Sequence, residues 1–363
     1  MRRICLSLLL AVILALMPAS VFANGKSDSE TQASQYDKAR YVAAHYVGIV
    51  EANTDDWHDS KVNFEFPLFD FDGNVTAYLF SVTVGGTDSG YLIVSAENDP
   101  VVLESAREGS HPYFKFSNEG QPIYVGATMY YIKQNTSEYI DIRQGKIVTS
   151  SDFKSKGTLQ GKSFNENMDL SKHSDLEFSP LSIEPQTIIS YSKKIISGVP
   201  DFSWHLGCSP TSFSNIVKYW ANNGYPNLVQ RGTTTNELIE EMADFMNTNR
   251  DGTTGWDDRV TGMVNYWSDK NYKVSVSRVS ASFSTHKTEM NNDRPDIINV
   301  VDDATYGNHD MTGVGYEEYQ DTEQNLKWFR WVIVHDTWDN TPKDVYIYLP
   351  QLSWNETVKV VPK

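Results

Sequence analysis

The chain has 363 residues, 40% of them hydrophobic and 21% charged, with a formal net charge of −16 and two cysteines. So acidic a balance, without a Lys/Arg cluster, repels polyanions and makes nucleic acid and anionic membrane surfaces poor partners. Two cysteines exclude a disulfide scaffold, and the length suffices for about two domains of roughly 150 residues.

Taken in chain order, Arg2 and Arg3 precede an apolar run from Leu8 to Met17, and Val21-Phe22-Ala23 offers a small-x-small cleavage site. This predicts a signal peptide over residues 1–23, cut after Ala23, and hence a secreted, extracellular protein. No later segment approaches the twenty apolar residues of a membrane span. Cys5 leaves with the leader, so Cys208 stands alone.

Residues 24–116 read as a small α+β domain. After a polar start, Ala39, Ala43, Val47 and Val50 recur at helical spacing and predict a helix from Tyr36 to near Asn53. Asp72-Gly73 between Leu68–Phe71 and Val75–Phe80 predicts a hairpin, and strands follow at Tyr91–Ser95 and Val101–Glu104. Residues 117–185 read as a partly ordered linker, with structure at Tyr124–Tyr131 and Tyr139–Ile147 and an exposed connection from Ser150 to Pro185.

From residue 186 to 363 the texture changes: of nine tryptophans, only Trp57 lies before residue 200. Three amphipathic helices are predicted. The first carries the stripe Phe213, Ile216, Val217, Trp220 and stops at Asn223-Gly224. The second carries Leu238, Ile239, Met242, Phe245 and Met246, opened by Thr234 and Glu237 at capping-box spacing. The third carries Val260, Met263, Val264 and Trp267. Strands are predicted at 272–279, 296–301, 311–316, 328–335 and 345–349. Helices first and strands afterwards indicate an α+β fold with helices packed on an antiparallel sheet.

Cys208 sits in Trp204-His205-Leu206-Gly207-Cys208-Ser209-Pro210-Thr211-Ser212. Gly207 allows a tight approach and Pro210 suits a first helical turn, so the thiol is expected at a helix N-terminus, where the macrodipole favours its thiolate. The alternative is a small apolar core residue. A nucleophilic thiol needs a base, and the base needs an orienting acceptor. Among eight histidines, His309 opens a predicted strand, which would fix its ring on a rigid sheet. The next strand ends at Val334-His335-Asp336, placing Asp336 beside His309 across a hairpin. His335 is a competing base or a satisfied core histidine.

The segment Gly207–Ser212, with Tyr219-Trp220 and Gly224-Tyr225-Pro226, resembles the secreted bacterial peptidase C39-like proteins of the papain-like cysteine peptidase group, whose nucleophile motif reads Cys-Gly-Pro-Thr. His309–Tyr316 resembles their His-bearing strand and Val334–Trp338 their acid-bearing strand, in the same order, over roughly residues 190–350. The resemblance implies a papain-like fold and a thiolate–imidazolium pair, with Cys208 as nucleophile, His309 as base and then acid, and Asp336 orienting the ring. The expected function is hydrolysis of peptide bonds through a thioester acyl-enzyme, on a peptide or protein substrate, by a monomer. The alternative is a catalytically weak or inactive binding protein on the same fold. Residues 75–109 are similar to streptopain-type propeptides, which makes residues 24–185 either an inhibitory prodomain of a zymogen or a permanently attached accessory domain. Ser209 replaces the family's Gly, and no Gln precedes the cysteine to bind the oxyanion; Ser203 and His205 are the candidates for that second donor.

Asn247-x-Asn249-x-Asp251-Gly252, ending at Asp258, resembles a calcium loop but lacks the usual first Asp and the final Glu. A polar inter-helix loop is the simpler reading. No HExxH, CxxC, P-loop or GxGxxG is present, so no metal or other cofactor is expected.

Overall fold

The computed structural model describes residues 28–116, 118–149, 177–181, 187–303, 307–322 and 324–363. The expected leader over 1–23 and most of the Ser150–Pro185 connection lie outside the described residues.

The first half opens with α1 (Asp28–Asn53), followed by β1 (Ser60–Phe69), β2 (Val75–Val84), β3 (Thr87–Ser95) and β4 (Val102–Ala106). The helix buries Ala39, Ala43, Tyr46, Val47 and Val50, the apolar stripe read from the sequence. The Asp72-Gly73 turn joins β1 to β2, which pair with Phe69 opposite Val75. Next comes an antiparallel meander of four strands: β5 (Gln121–Tyr124), β6 (Tyr130–Lys133), β7 (Glu138–Asp141) and β8 (Lys146–Thr149). Strand β2 alternates between two cores. Tyr78, Phe80 and Val82 join α1 in one cluster, while Ala77 and Leu79 pack with Tyr113, Tyr124 and Tyr130 in another. This part of the sheet is covered on both faces.

After β9 (Glu177–Phe178) and β10 (Ile188–Ile195) come three helices, α2 (Cys208–Asn222), α3 (Thr235–Phe245) and α4 (Trp256–Asp269). The Thr234–Glu237 capping box is formed in both directions. Phe213, Ile216, Val217, Met242, Met263 and Trp267 meet in a core of their own. Val264, expected on the buried stripe of the third helix, is exposed, and Tyr266 takes its place. The chain ends with β11 (Val274–Ser280), α5 (Phe283–Asn291), β12 (Asp296–Asp303), β13 (Gly307–Asp321), β14 (Lys327–His335), β15 (Val345–Tyr348) and β16 (Trp354–Pro362).

Among the described residues, five α-helices on a large, mostly antiparallel sheet make a mixed architecture compatible with α+β. Among the described residues the sheet is continuous, running β11-β16-β12-β13-β14-β15-β4-β3-β2-β1-β5-β6-β7-β8. The join is β4 against β15, with Ala106 opposite Val345 and Glu104 opposite Ile347. The cluster around α1 also contains Tyr319, Phe329, Trp331 and Tyr346 from β13–β15, so the two halves share this core. A buried ion pair, Arg107–Glu317 at 2.8 Å, and a buried hydrogen bond, His45 Nε2 to Asp321 Oδ2 at 2.9 Å, cross the same boundary. No helix among the described residues is long and apolar enough to cross a membrane.

Candidate active site

Cys208 is the first residue of α2, and Gly207 is its N-cap with φ 147°. A Cβ on Gly207 would stand 2.6 Å from the carbonyl oxygen of Gly252, so only glycine lets the loop before Cys208 rest on the α3–α4 loop. The exposed Leu206, at φ 58°, completes the turn that aims the thiol.

The first turns of α2 are unusually polar for a buried helix: Ser209, Thr211, Ser212 and Asn215 are all buried. Their partners explain it. Ser209 Oγ donates to Asp310 Oδ2 at 2.6 Å, Ser212 Oγ to the Asp310 carbonyl at 2.9 Å, and Asn215 Nδ2 to Thr312 Oγ1 at 3.0 Å. Thr312 Oγ1 in turn donates to the Ser212 carbonyl at 3.1 Å. These bonds tie the helix that bears Cys208 to β13, the strand that bears His309. Asp310 is itself held by Arg259 Nη1 at 2.6 and 2.8 Å and by Asn299 Nδ2 at 2.6 Å. Arg259 reaches on to Glu356 at 3.2 Å, which also binds Arg278 at 2.9 Å. The sequence reading missed this relay, because its members lie far apart in the chain and share no motif.

His309 is buried. Its Nε2–H donates to the main-chain carbonyl of Asp336 at 3.2 Å, and its ring stacks on Trp338 at 5.3 Å and 9°. A carbonyl only accepts, so the proton of the neutral ring is on Nε2 and Nδ1 is the basic nitrogen. The expected contact between the ring and the Asp336 carboxylate is not formed. Asp336 Oδ1 instead accepts from the Trp338 N–H at 3.0 Å and from Thr341 Oγ1 at 2.8 Å, while Oδ2 is buried without a partner. Between them Thr337 is at φ 73°, a conformation costing a β-branched residue on the order of 1–2 kcal/mol. That strained peptide presents the Asp336 carbonyl to Nε2 and folds Trp338 beneath the imidazole.

The electrostatics differ from expectation. Burial, and then the Asp310 carboxylate, push the Cys208 thiol up to about 11, against the opposing pull of hydrogen bonds from Asp310 and Ser209. Burial, aided by Arg143, lowers His309 to about 4. Burial thus favours the uncharged thiol and imidazole over the expected thiolate–imidazolium pair. The helix terminus does favour the anion, but desolvation outweighs it. Burial also raises Asp336 to about 7.

Cys208 and His309 line one cavity of about 510 Å³ together with Trp204, Asp251, Trp256 and Trp338. Tyr131, Arg143 and Gln144 of the N-terminal half complete its wall. Neither Ser203 nor His205 reaches it, and His205 Nε2 pairs with Glu240 at 2.9 Å. His335 is a satisfied core histidine, bound to the Pro200 carbonyl at 2.8 Å and to Asp344 at 2.9 Å. In the calcium-like loop, the Asn247 amide donates to Asp258 at 3.1 Å and Asp251 accepts from the Thr253 N–H. No group of three or more His, Cys, Asp or Glu side chains converges as a metal site among the described residues.

A thiol heading a helix and a strand-borne imidazole facing one cavity is an arrangement of the cysteine peptidase type. Residues 196–361 match the Peptidase_C39 like family, so this part of the chain is similar to that family. No curated protein matches the chain.

Proposed function

We propose that the protein is a cysteine peptidase of papain-like fold, hydrolysing peptide bonds outside the cell after loss of residues 1–23. The observation that carries this reading is the shared cavity of Cys208 and His309, with the ring's Nε2 fixed on the Asp336 carbonyl. In the acylation step, His309 Nδ1 takes the thiol proton as Sγ bonds to the scissile carbonyl carbon. The carbonyl electrons move to the oxygen, where the N–H groups at the head of α2 face the developing charge. Collapse of this intermediate breaks the C–N bond, His309 returns the proton to the leaving amine, and a thioester remains on Cys208. Water, deprotonated by His309, then releases the acid and restores the thiol. Asp336 serves through its main chain, and its carboxylate holds the turn that makes this possible.

Acid-quenched intact mass spectrometry during turnover of a slow peptide ester tests the reading: an acyl adduct on the wild type, absent from Cys208→Ala, is expected. Turnover that survives in Cys208→Ala would remove the thiol from the mechanism. A second reading, a binding protein on the same fold, is favoured by the thiol held near 11 and by the absence of Ser203 and His205 from the cavity. It predicts peptide binding with no acyl adduct.

A further inference from the structure

The turn between β7 and β8 brings Arg143 of the N-terminal half to the wall of the Cys208 cavity. The turn is fixed at several points. Arg143 Nε and Nη2 bind Asp141 Oδ1 and Oδ2 at 2.9 and 2.6 Å, Nη2 also reaches the Tyr131 hydroxyl at 2.8 Å, and Asn340 Nδ2 donates to the Ile142 carbonyl at 2.5 Å. The guanidinium lies over the Trp338 ring at 5.3 Å, and the same indole stacks on His309.

We propose that Arg143 is a positioning residue for His309, acting through the Trp338 indole, and that the N-terminal half is thereby a permanent part of the active site. The proposal rests on the Cys208–His309 reading above. Arg143 fixes the plane on which the imidazole lies, and its charge opposes a second cation on that ring. The titratable and charged groups around His309 are Arg143 and its counterion Asp141 from the β7–β8 turn, Asp310 on its own strand with Arg259 of α4 behind it, Asp336 after β14, Cys208 on α2, Asp251 across the cavity, and Glu104 of β4 beyond Asp336. Arg143 lowers the proton affinity of His309, while Asp310 raises it. The β4–β15 pairing, the Trp331 Nε1–H bond to the Val102 carbonyl at 3.1 Å and the Arg107–Glu317 pair keep the turn in place.

The test is an NMR titration of the His309 Cε1–H in the full-length chain, assigned by its loss in His309→Gln, alongside the pH profile of Cys208 labelling by a peptide electrophile. Arg143→Met should raise the His309 midpoint by about one pH unit, and Arg143→Lys should restore most of the wild-type value. Asp141→Asn, which leaves Arg143 without its counterion, should move the midpoint the other way. An unchanged midpoint in Arg143→Met, or shifts of the same sign in Arg143→Met and Asp141→Asn, would overturn the proposal. Opposite shifts in a chain that never labels would leave the Arg143–His309 coupling standing and sink the peptidase reading alone.

Discussion

The imidazole of His309 lies almost parallel to the indole of Trp338, 5.3 Å away. That pairing explains why the site is built as it is. Trp338 removes water from one face of the ring, the Asp336 carbonyl takes Nε2–H, and Nδ1 is left as the basic nitrogen. The cost is borne by Thr337, held at positive φ between the two residues that orient the ring.

The resting charge state gives the first prediction. With the thiol at about 11 and the imidazole at about 4, a small alkylating agent should modify Cys208 slowly at neutral pH. Its rate should climb steadily through the alkaline range, because the thiolate is the nucleophile. Stopped-time alkylation followed by intact mass would show this. A plateau below neutral pH would mean a preformed thiolate–imidazolium pair instead.

Asp310 joins the helix that bears Cys208 to the strand that bears His309, so Asp310→Ala should destabilise the protein by about 3 kcal/mol by leaving Arg259 buried with only Glu356 to answer it. Urea unfolding measures the loss, and peptide-electrophile labelling should fall with it. A variant as stable and as reactive as the wild type would show that the Arg259 relay has no part in holding the site.

Gly207→Ala should cost on the order of 2 kcal/mol, from a side chain at positive φ and from collision with the Gly252 carbonyl. The damage should be local: labelling of Cys208 drops further than the melting temperature suggests. Comparison of labelling rate and thermal unfolding in one preparation checks it.

Acids near the site give a prediction about pH. Burial, reinforced by Asp336, Asp344 and Asp339, raises Asp201 to about 8, and burial raises Asp336 to about 7. Both carboxyls bind their proton more tightly when folded, so their contribution is complete below their unfolded values near 4 and is lost as pH rises through 7 to 8. His309 runs the other way, its contribution present above about 6.5 and lost as pH falls through its folded value. The wild type should therefore melt at progressively lower temperature from about pH 6.5 to pH 8, and Asp201→Asn should flatten that slope.

Much of this was legible in the sequence, for local reasons. Gly207 and Pro210 around Cys208 mark a helix start, Thr234 and Glu237 mark another, and Asp72-Gly73 marks a hairpin, because each signal lies within a few residues of what it governs. What escaped depends on distant partners. Helix α5 has few apolar residues and is anchored by His286, which is buried on Asp296 at 3.0 Å and the Gly315 carbonyl at 2.8 Å. Strands β10 and β16 gain their identity from pairing with β13 and with β11 and β12. The Asp336 carboxylate was expected on the ring because residue type and spacing say which groups are near, not which atom of each makes the bond. Arg143 carried no signal at all, since nothing in the sequence says that a turn some sixty residues upstream closes the cavity of Cys208.

The central claim is that Cys208 and His309 act as nucleophile and base within one cavity. The most direct test is labelling of the full-length protein at neutral pH by a peptide-linked thiol electrophile, read by intact mass. The account predicts one adduct, lost in Cys208→Ala and formed on the order of 10²-fold more slowly in His309→Ala. A wild-type protein that takes no peptide adduct, while a small alkylating agent modifies Cys208 at raised pH, would contradict it.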